Sequence, residues 1–87
     1  ALADFSTAIG ANSRAEGSLS TAVGEFTRAT GDQSTAVGQS AQALAANTTA
    51  LGQNSLASGT DATALGNAAF ASGTRSSAIG TDAQATA

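Results

Sequence analysis

A fixed repeat determines what this chain can fold into. A five-residue pattern of a small residue, Thr or Ser, Ala, an aliphatic residue and Gly begins at residues 6, 20, 34, 48, 62 and 76. The period is therefore 14 residues, without insertion or deletion. Six units fill residues 4–87, and residues 1–3 match the end of a unit, so we expect one domain over residues 1–87 that is a segment of a longer array. Such a period is typical of solenoids, in which each repeat forms one coil and stacks on its neighbours.

Each unit divides into two halves of seven residues. The stretch 13–17 repeats the pattern of 6–10, and the same half-unit pattern returns at 27–31, 55–59 and 69–73. A break about every seven residues, with β-branched Thr, Val and Ile between breaks, disfavours a helix despite the many alanines. Five residues of period-two pattern between breaks predict two short strands per unit and an all-β fold.

The composition limits how thick a coil can be. Of 36 hydrophobic residues 23 are Ala, and Leu, Ile, Val and Phe together number only 13 of 87. An ordinary globular core is out of reach with so little bulk. Strand alternation places two all-Ala columns on inward faces, where we expect only Ala and Ser to fit. The sequence thus predicts a narrow parallel β-solenoid, with these residues inside: Ala8, Ala15, Ala22, Ala29, Ala36, Ala43, Ala50, Ala57, Ala64, Ala71, Ala78 and Ala85.

An aliphatic column alternates with the first of these alanine columns and is expected on the outside. A continuous apolar stripe on a water-soluble rod marks an interface, and burying six such side chains contributes on the order of 10–18 kcal/mol. We therefore expect an oligomer in which the stripe lies at a shared axis. The alternative is that the aliphatic residues point into the coil and the alanines point out. The column consists of Ile9, Val23, Val37, Leu51, Leu65 and Ile79.

Glycine occupies the first turn of every unit. Such a position requires a positive φ or a close approach of two backbones. The second turn has Gly17 and Gly31 but also Ala45, so it is expected to accept a Cβ, and the residues around both turns should be exposed to solvent. The first-turn glycines are Gly10, Gly24, Gly38, Gly52, Gly66 and Gly80.

The absent residue types exclude several functions. The chain has no His, Cys or Lys, so no nucleophile–base pair can be assembled and we expect no enzyme. Its six carboxylates are scattered over several columns, and no metal site or cofactor is expected. Three arginines cannot form the basic stripe that nucleic-acid binding needs. No apolar run is long enough for a membrane-spanning helix, so this segment should make no direct membrane contact.

The 14-residue repeat with its Ser-x-Ala-aliphatic-Gly centre resembles the head repeats of trimeric autotransporter adhesins, the YadA-like heads of Gram-negative bacteria. The resemblance covers residues 4–87. It implies a single-stranded left-handed parallel β-roll that assembles as a homotrimer about a hydrophobic axis. It also implies a place on the bacterial cell surface, with outer-membrane anchoring through a stalk and a barrel outside this segment. Such heads attach bacteria to host cells, to extracellular-matrix proteins or to one another.

Candidate ligand contacts are on the polar outward strand and the turns, namely Arg14, Glu16, Arg28, Gln42, Asn54 and Phe70. Leu44, Leu56 and Phe70 form an outward apolar cluster that either adheres to a ligand or packs on a neighbouring chain. Two other functions stay open. A structural trimeric spacer in a surface or phage fibre would have the same repeats, and an ice-binding solenoid would also have a threonine column.

Overall fold

The computed structural model describes residues 4–86, and they form twelve short strands that alternate with turns. The partial unit at residues 1–3 and the final Ala87 lie outside the described residues. The odd-numbered strands have three residues each: β1 Thr7–Ile9, β3 Thr21–Val23, β5 Thr35–Val37, β7 Thr49–Leu51, β9 Thr63–Leu65 and β11 Ser77–Ile79. The even-numbered strands have two: β2 Arg14–Ala15, β4 Arg28–Ala29, β6 Gln42–Ala43, β8 Leu56–Ala57, β10 Phe70–Ala71 and β12 Gln84–Ala85.

Two six-stranded parallel sheets run along the molecule. The odd strands form the first sheet in the order β1-β3-β5-β7-β9-β11, and the even strands form the second sheet in the same stacking sense. Every strand pairs with the strand 14 residues away, so that Thr7 lies opposite Thr21 and Arg14 opposite Arg28. Because equivalent residues pair, the sequence columns become physical columns. The predicted all-β solenoid of 14-residue coils is confirmed.

The interior contains the two alanine columns. Ten of the twelve alanines are buried, with exposed fractions of 0–2%, whereas Ala8 and Ala85, in the first and last coils, are partly buried against them. The aliphatic column faces outward, as the exposed fractions of 58% at Ile9 and 68% at Ile79 show. Of the two orientations that the sequence leaves open, the structure has Ala inside and the aliphatic residues outside. The shortest dimension of the molecule, 11 Å, accordingly fits two sheets with only small side chains between them.

Two further columns, composed of hydroxyl side chains and alanines, complete the interior. The hydroxyl groups donate hydrogen bonds to the carbonyl three residues earlier, as Ser55 does to Gly52 at 2.9 Å and Thr48 to Ala45 at 2.7 Å. No buried side-chain oxygen among the described residues lacks a partner, so these hydrogen bonds offset the desolvation of the hydroxyl groups. Thr27 and Thr48 are fully buried, so the expectation that only Ala and Ser fit inside is wrong. The hydroxyl bond turns the larger side chain toward the turn and away from the opposite sheet.

One feature of the turns is not predicted by the sequence pattern. A non-glycine residue with φ near +60° recurs every seven residues: Phe5, Asn12, Leu19, Phe26, Gln33, Ser40, Asn47, Asn54, Asp61, Ala68, Arg75 and Asp82. In this conformation its backbone N–H donates to the preceding coil, for example from Phe26 to the Ala11 carbonyl at 3.0 Å. The hydrogen-bonded ladder therefore continues through the turns. The strands themselves have two or three residues, fewer than the five residues of the repeated pattern.

The glycines behave as expected at the first turn and not at the second. All six first-turn glycines have φ between +119° and +128°. At Gly38 an added Cβ would also lie 2.7 Å from the carbonyl carbon of Gly52. The second-turn glycines have no positive φ, yet a Cβ on Gly17 or Gly31 would collide with the backbone of the next coil. The expectation that the second turn accepts a Cβ is therefore wrong at those glycines, although Ala45 occupies the same column.

Candidate functional site

The outer face of the first sheet, which we call the aliphatic face, carries the six aliphatic residues beside a column of five threonines and Ser77. Strands β1 to β11 pair with no register shift, so the aliphatic side chains form one continuous row about 24 Å long. The four central residues of the row are half-buried by their neighbours, while Ile9 and Ile79 at its ends are largely exposed. The face is thus a flat apolar strip of uniform composition.

Charge is absent from the aliphatic face. The chain has nine charged residues, six at the turns and three on the second sheet. A face of six coils with no charged side chain can be covered without leaving a buried ion behind. These two properties, apolar continuity and the lack of charge, distinguish it from every other surface among residues 4–86.

The outer face of the second sheet, which we call the polar face, has a small ion-pair cluster at one end. Glu16 accepts from Arg14 at 2.7 Å and lies 4.0 Å from Arg28 of the next coil. Thr30 adds a hydroxyl contact to the same carboxylate at 3.5 Å. The arginine side chains remain about half exposed, at 55% and 47%. Exposed pairs of this kind contribute little to stability. The cluster places two guanidinium groups beside one carboxylate at the surface.

The candidate ligand contacts fall on two different surfaces. Arg14, Arg28, Gln42 and Phe70 share one column of the polar face, and Glu16 lies beside them. Asn54 is separate, because it lies in the turn that follows β7. The structure therefore brings five of the six residues together on one face and leaves the sixth at its edge.

The predicted apolar cluster lies further along the polar face. Leu56 and Phe70 are register partners in neighbouring strands, and Leu44 lies one coil earlier, just beyond the end of β6. All three side chains are half-buried. The polar face therefore changes along its length from the charged cluster to these apolar residues.

The turn edges carry a side-chain ladder that the sequence analysis missed. Gln39 donates its amide to Glu25 at 3.3 Å, Gln53 donates to Gln39 at 3.0 Å, and Asn67 donates to Gln53 at 3.3 Å. These four residues occupy one column after the first-turn glycine. A column of long amides at 14-residue spacing was the signal that could have revealed it.

Residues 4–86 form no pocket or cleft, and they contain no cluster of three acidic side chains that could hold a metal ion. No helix among them could cross a membrane.

Fold and surfaces together define a class of protein: a repeat-built parallel β-solenoid with a thin alanine core, an uncharged apolar face and a polar face. Within this class, one family model matches the sequence. The model of the YadA head domain repeat, two copies per match, fits residues 1–26, 15–41, 29–55, 57–83 and 71–87. The chain belongs to the YadA head family, whose members are heads of trimeric autotransporter adhesins at the bacterial surface and are in general not enzymes. No curated protein matches the chain.

Proposed function

We propose that this chain is an adhesive head segment that works as a homotrimer, with the aliphatic face at the trimer axis. The uncharged aliphatic row is the observation that carries this proposal, because no other surface could be buried against a copy of itself without an ion. A fully buried aliphatic side chain contributes about 1.5–3 kcal/mol. The sum over six is an upper limit here, since neighbouring coils already cover part of the four central residues.

The polar face would then point away from the axis and meet the ligand. Host-cell or extracellular-matrix proteins are the proposed partners, and autoaggregation uses the same outward surface. We propose Arg14, Arg28, Gln42 and Phe70 as contact residues, with Glu16 as the carboxylate that positions the two arginines. Asn54 belongs to the edge of this surface. Because three identical faces point outward, weak contacts would add through avidity.

The assembly is tested with Val37→Asp. A carboxylate in the middle of the aliphatic row would be buried without a partner, so the trimer should dissociate or unfold. The matched control is Gln42→Asp, which adds the same charge to the same coil on the polar face and should leave the trimer intact. Sedimentation equilibrium and circular dichroism report both outcomes. A folded monomer of the unmodified chain would refute the proposed assembly.

Adhesion is tested by retention on immobilised matrix proteins and on host cells. The trimer should be retained, and replacing Arg14 and Arg28 together by Gln should reduce retention without changing the mass in solution. If the trimer forms but is retained on none of these surfaces, the segment is a spacer and not the binding part of the fibre.

A further inference from the structure

We infer that the two turn edges of the solenoid are complementary and form a side-by-side contact between neighbouring copies of this chain, matched coil by coil. The first edge contains the positive-φ residues that precede the first sheet, and the second edge contains those that follow it. The inference rests on the proposed trimer and adds the contact between protomers that the aliphatic face alone does not define.

Symmetry requires such a contact to be between unlike edges. In a closed ring about an axis parallel to the solenoid, the same residue of every copy has the same height. With the first sheet facing the axis, the first edge of one copy meets the second edge of the next. The two turns of one coil differ in height by half a coil, about 2.4 Å, which is within the reach of a side chain.

Two of the six pairs that meet in this register are complementary in chemistry. The second coil brings Leu19 against Phe26, and the last described coil brings Arg75 against Asp82. No coil brings two like charges together. The remaining pairs of positive-φ residues, from the first coil upward, are Phe5 with Asn12, Gln33 with Ser40, Asn47 with Asn54, and Asp61 with Ala68.

A shift by one coil removes this complementarity. In one direction Phe26 would face Gln33, and Arg75 would face Ala68. In the other direction Phe26 would face Phe5, but Asp82 would face Asp61, a like charge. The two pairs that select the register lie near opposite ends of the solenoid. The contact would therefore align neighbouring copies along their whole length.

Exposure within one chain supports the same conclusion. Leu19 is 54% exposed, Phe26 49% and Phe5 86%. These large apolar residues occupy left-handed backbone positions that suit Asn better, and Asn does occur there at three other turns. The pairs Arg14–Glu16 and Arg28–Glu16 are the ion pairs within residues 4–86, so neither Arg75 nor Asp82 is paired inside its own chain there. A neighbouring copy would cover Leu19 and Phe26 and would pair Arg75 with Asp82.

Cysteine cross-linking tests the contact directly, because the natural chain has no cysteine. In Leu19→Cys/Phe26→Cys the two thiols of one chain lie on opposite edges, farther apart than the length of β3, whose three residues alone span about 10 Å. This distance is too long for a disulfide within one chain. Mild oxidation should therefore produce covalent trimers on a non-reducing gel.

The control variant is Leu19→Cys/Asp82→Cys, which places the thiols four coils apart and should remain uncross-linked. Sedimentation of the reduced proteins separates the two proposals. A trimer that yields no covalent species, or one that cross-links equally in both variants, overturns the edge contact while the proposed assembly stands. A monomer overturns both.

Charge reversal provides a second test. Arg75→Asp should weaken trimer association severalfold at low salt, and Arg75→Asp combined with Asp82→Arg should restore it. Equal weakening by the single and the double variant would contradict the pairing.

Discussion

At the scale of single residues, the turns are the least expected part of the molecule. Twelve non-glycine residues have φ near +60°, and they include Leu, Phe, Gln and Arg as well as Asn and Asp. For most residue types this conformation costs about 1–2 kcal/mol. It persists because each of these residues, apart from those of the first coil, donates its backbone N–H to the coil before it, as Arg75 does to Thr60 at 2.8 Å. The stack thus holds the backbone in place, whatever the side chain.

The choice of side chain at these turns should nevertheless affect stability. Gln33→Asn places the residue best suited to the left-handed region at φ +58° and should stabilise the fold by about 0.5–1 kcal/mol. Asn47→Gln is the reciprocal change and should destabilise by a similar amount. Both side chains are exposed, so packing does not confuse the comparison. Thermal denaturation checks the signs, and two shifts in the same direction would refute the explanation.

The first-turn glycines combine two constraints that can be separated. Gly38→Ala adds a Cβ at φ +124° and only 2.7 Å from the backbone of Gly52, whereas Gly80→Ala adds one at φ +119° with nothing within 4 Å. We expect Gly38→Ala to destabilise by more than the roughly 1–3 kcal/mol of backbone strain that both share. Chemical denaturation of the two variants measures the difference. Equal losses would mean that the close approach of the coils adds nothing.

At the scale of the element, the two strands of a coil have equivalent inward-facing residues and different outward-facing residues. Both place Ala inward, at Ala50 in β7 and Ala57 in β8, and both follow a turn with a positive-φ residue. Only the outward residues tell them apart. The core therefore specifies the coil, and the outward columns specify which sheet becomes the aliphatic face.

Deletions distinguish these two roles. Removing 49–62 takes out one whole unit and keeps every column, so the shortened chain should still form trimers. Removing 49–55 takes out half a unit, keeps Ala inward, and moves Leu65 and Ile79 to the second sheet. That protein should lose the trimer, because its aliphatic row is divided between two faces. Light scattering measures the mass, and trimers of equal stability in both deletions would contradict the role of the aliphatic face.

At the scale of the whole molecule, function depends on what a flat rod can present. Residues 4–86 present two faces and two edges and form no pocket. The net charge is −3 and charged residues make up 10% of the chain. A trimer would multiply every weak contact on the polar face by three, and avidity would then provide most of the binding.

Salt should therefore affect binding only modestly. Raising the ionic strength from about 0.1 to about 1 M shortens the Debye length from roughly 10 to 3 Å and screens exposed charges. Retention of the trimer on a matrix protein should fall by less than an order of magnitude. The Val37→Asp variant should bind far less at any salt concentration, because it has lost the three-fold presentation. Elution of the trimer by moderate salt alone would indicate electrostatic capture instead.

Much of this fold could be predicted from the sequence, because the same residue types recur at the same positions of every repeat. The period of 14 residues, the invariant alanines and the first-turn glycines each repeat six times, so they determine coil length, interior and turn position. Ala50 and Gly52 show the reason. In so thin a coil the interior position requires a small side chain and the first turn requires a positive φ, and both properties follow from the residue type alone.

Only the tertiary structure decided features that depend on two coils at once. The left-handed conformation of Leu19 and Arg75 follows from hydrogen bonds to the preceding coil and not from residue type. Thr27 fits inside because its hydroxyl reaches the Gly24 carbonyl at 3.0 Å. Glu16 joins two arginines because stacking places Arg28 beside Arg14. The stacking distance and the direction of the hydrogen bonds between coils cannot be predicted from the sequence of a single repeat, and they determine which edges and faces the molecule presents.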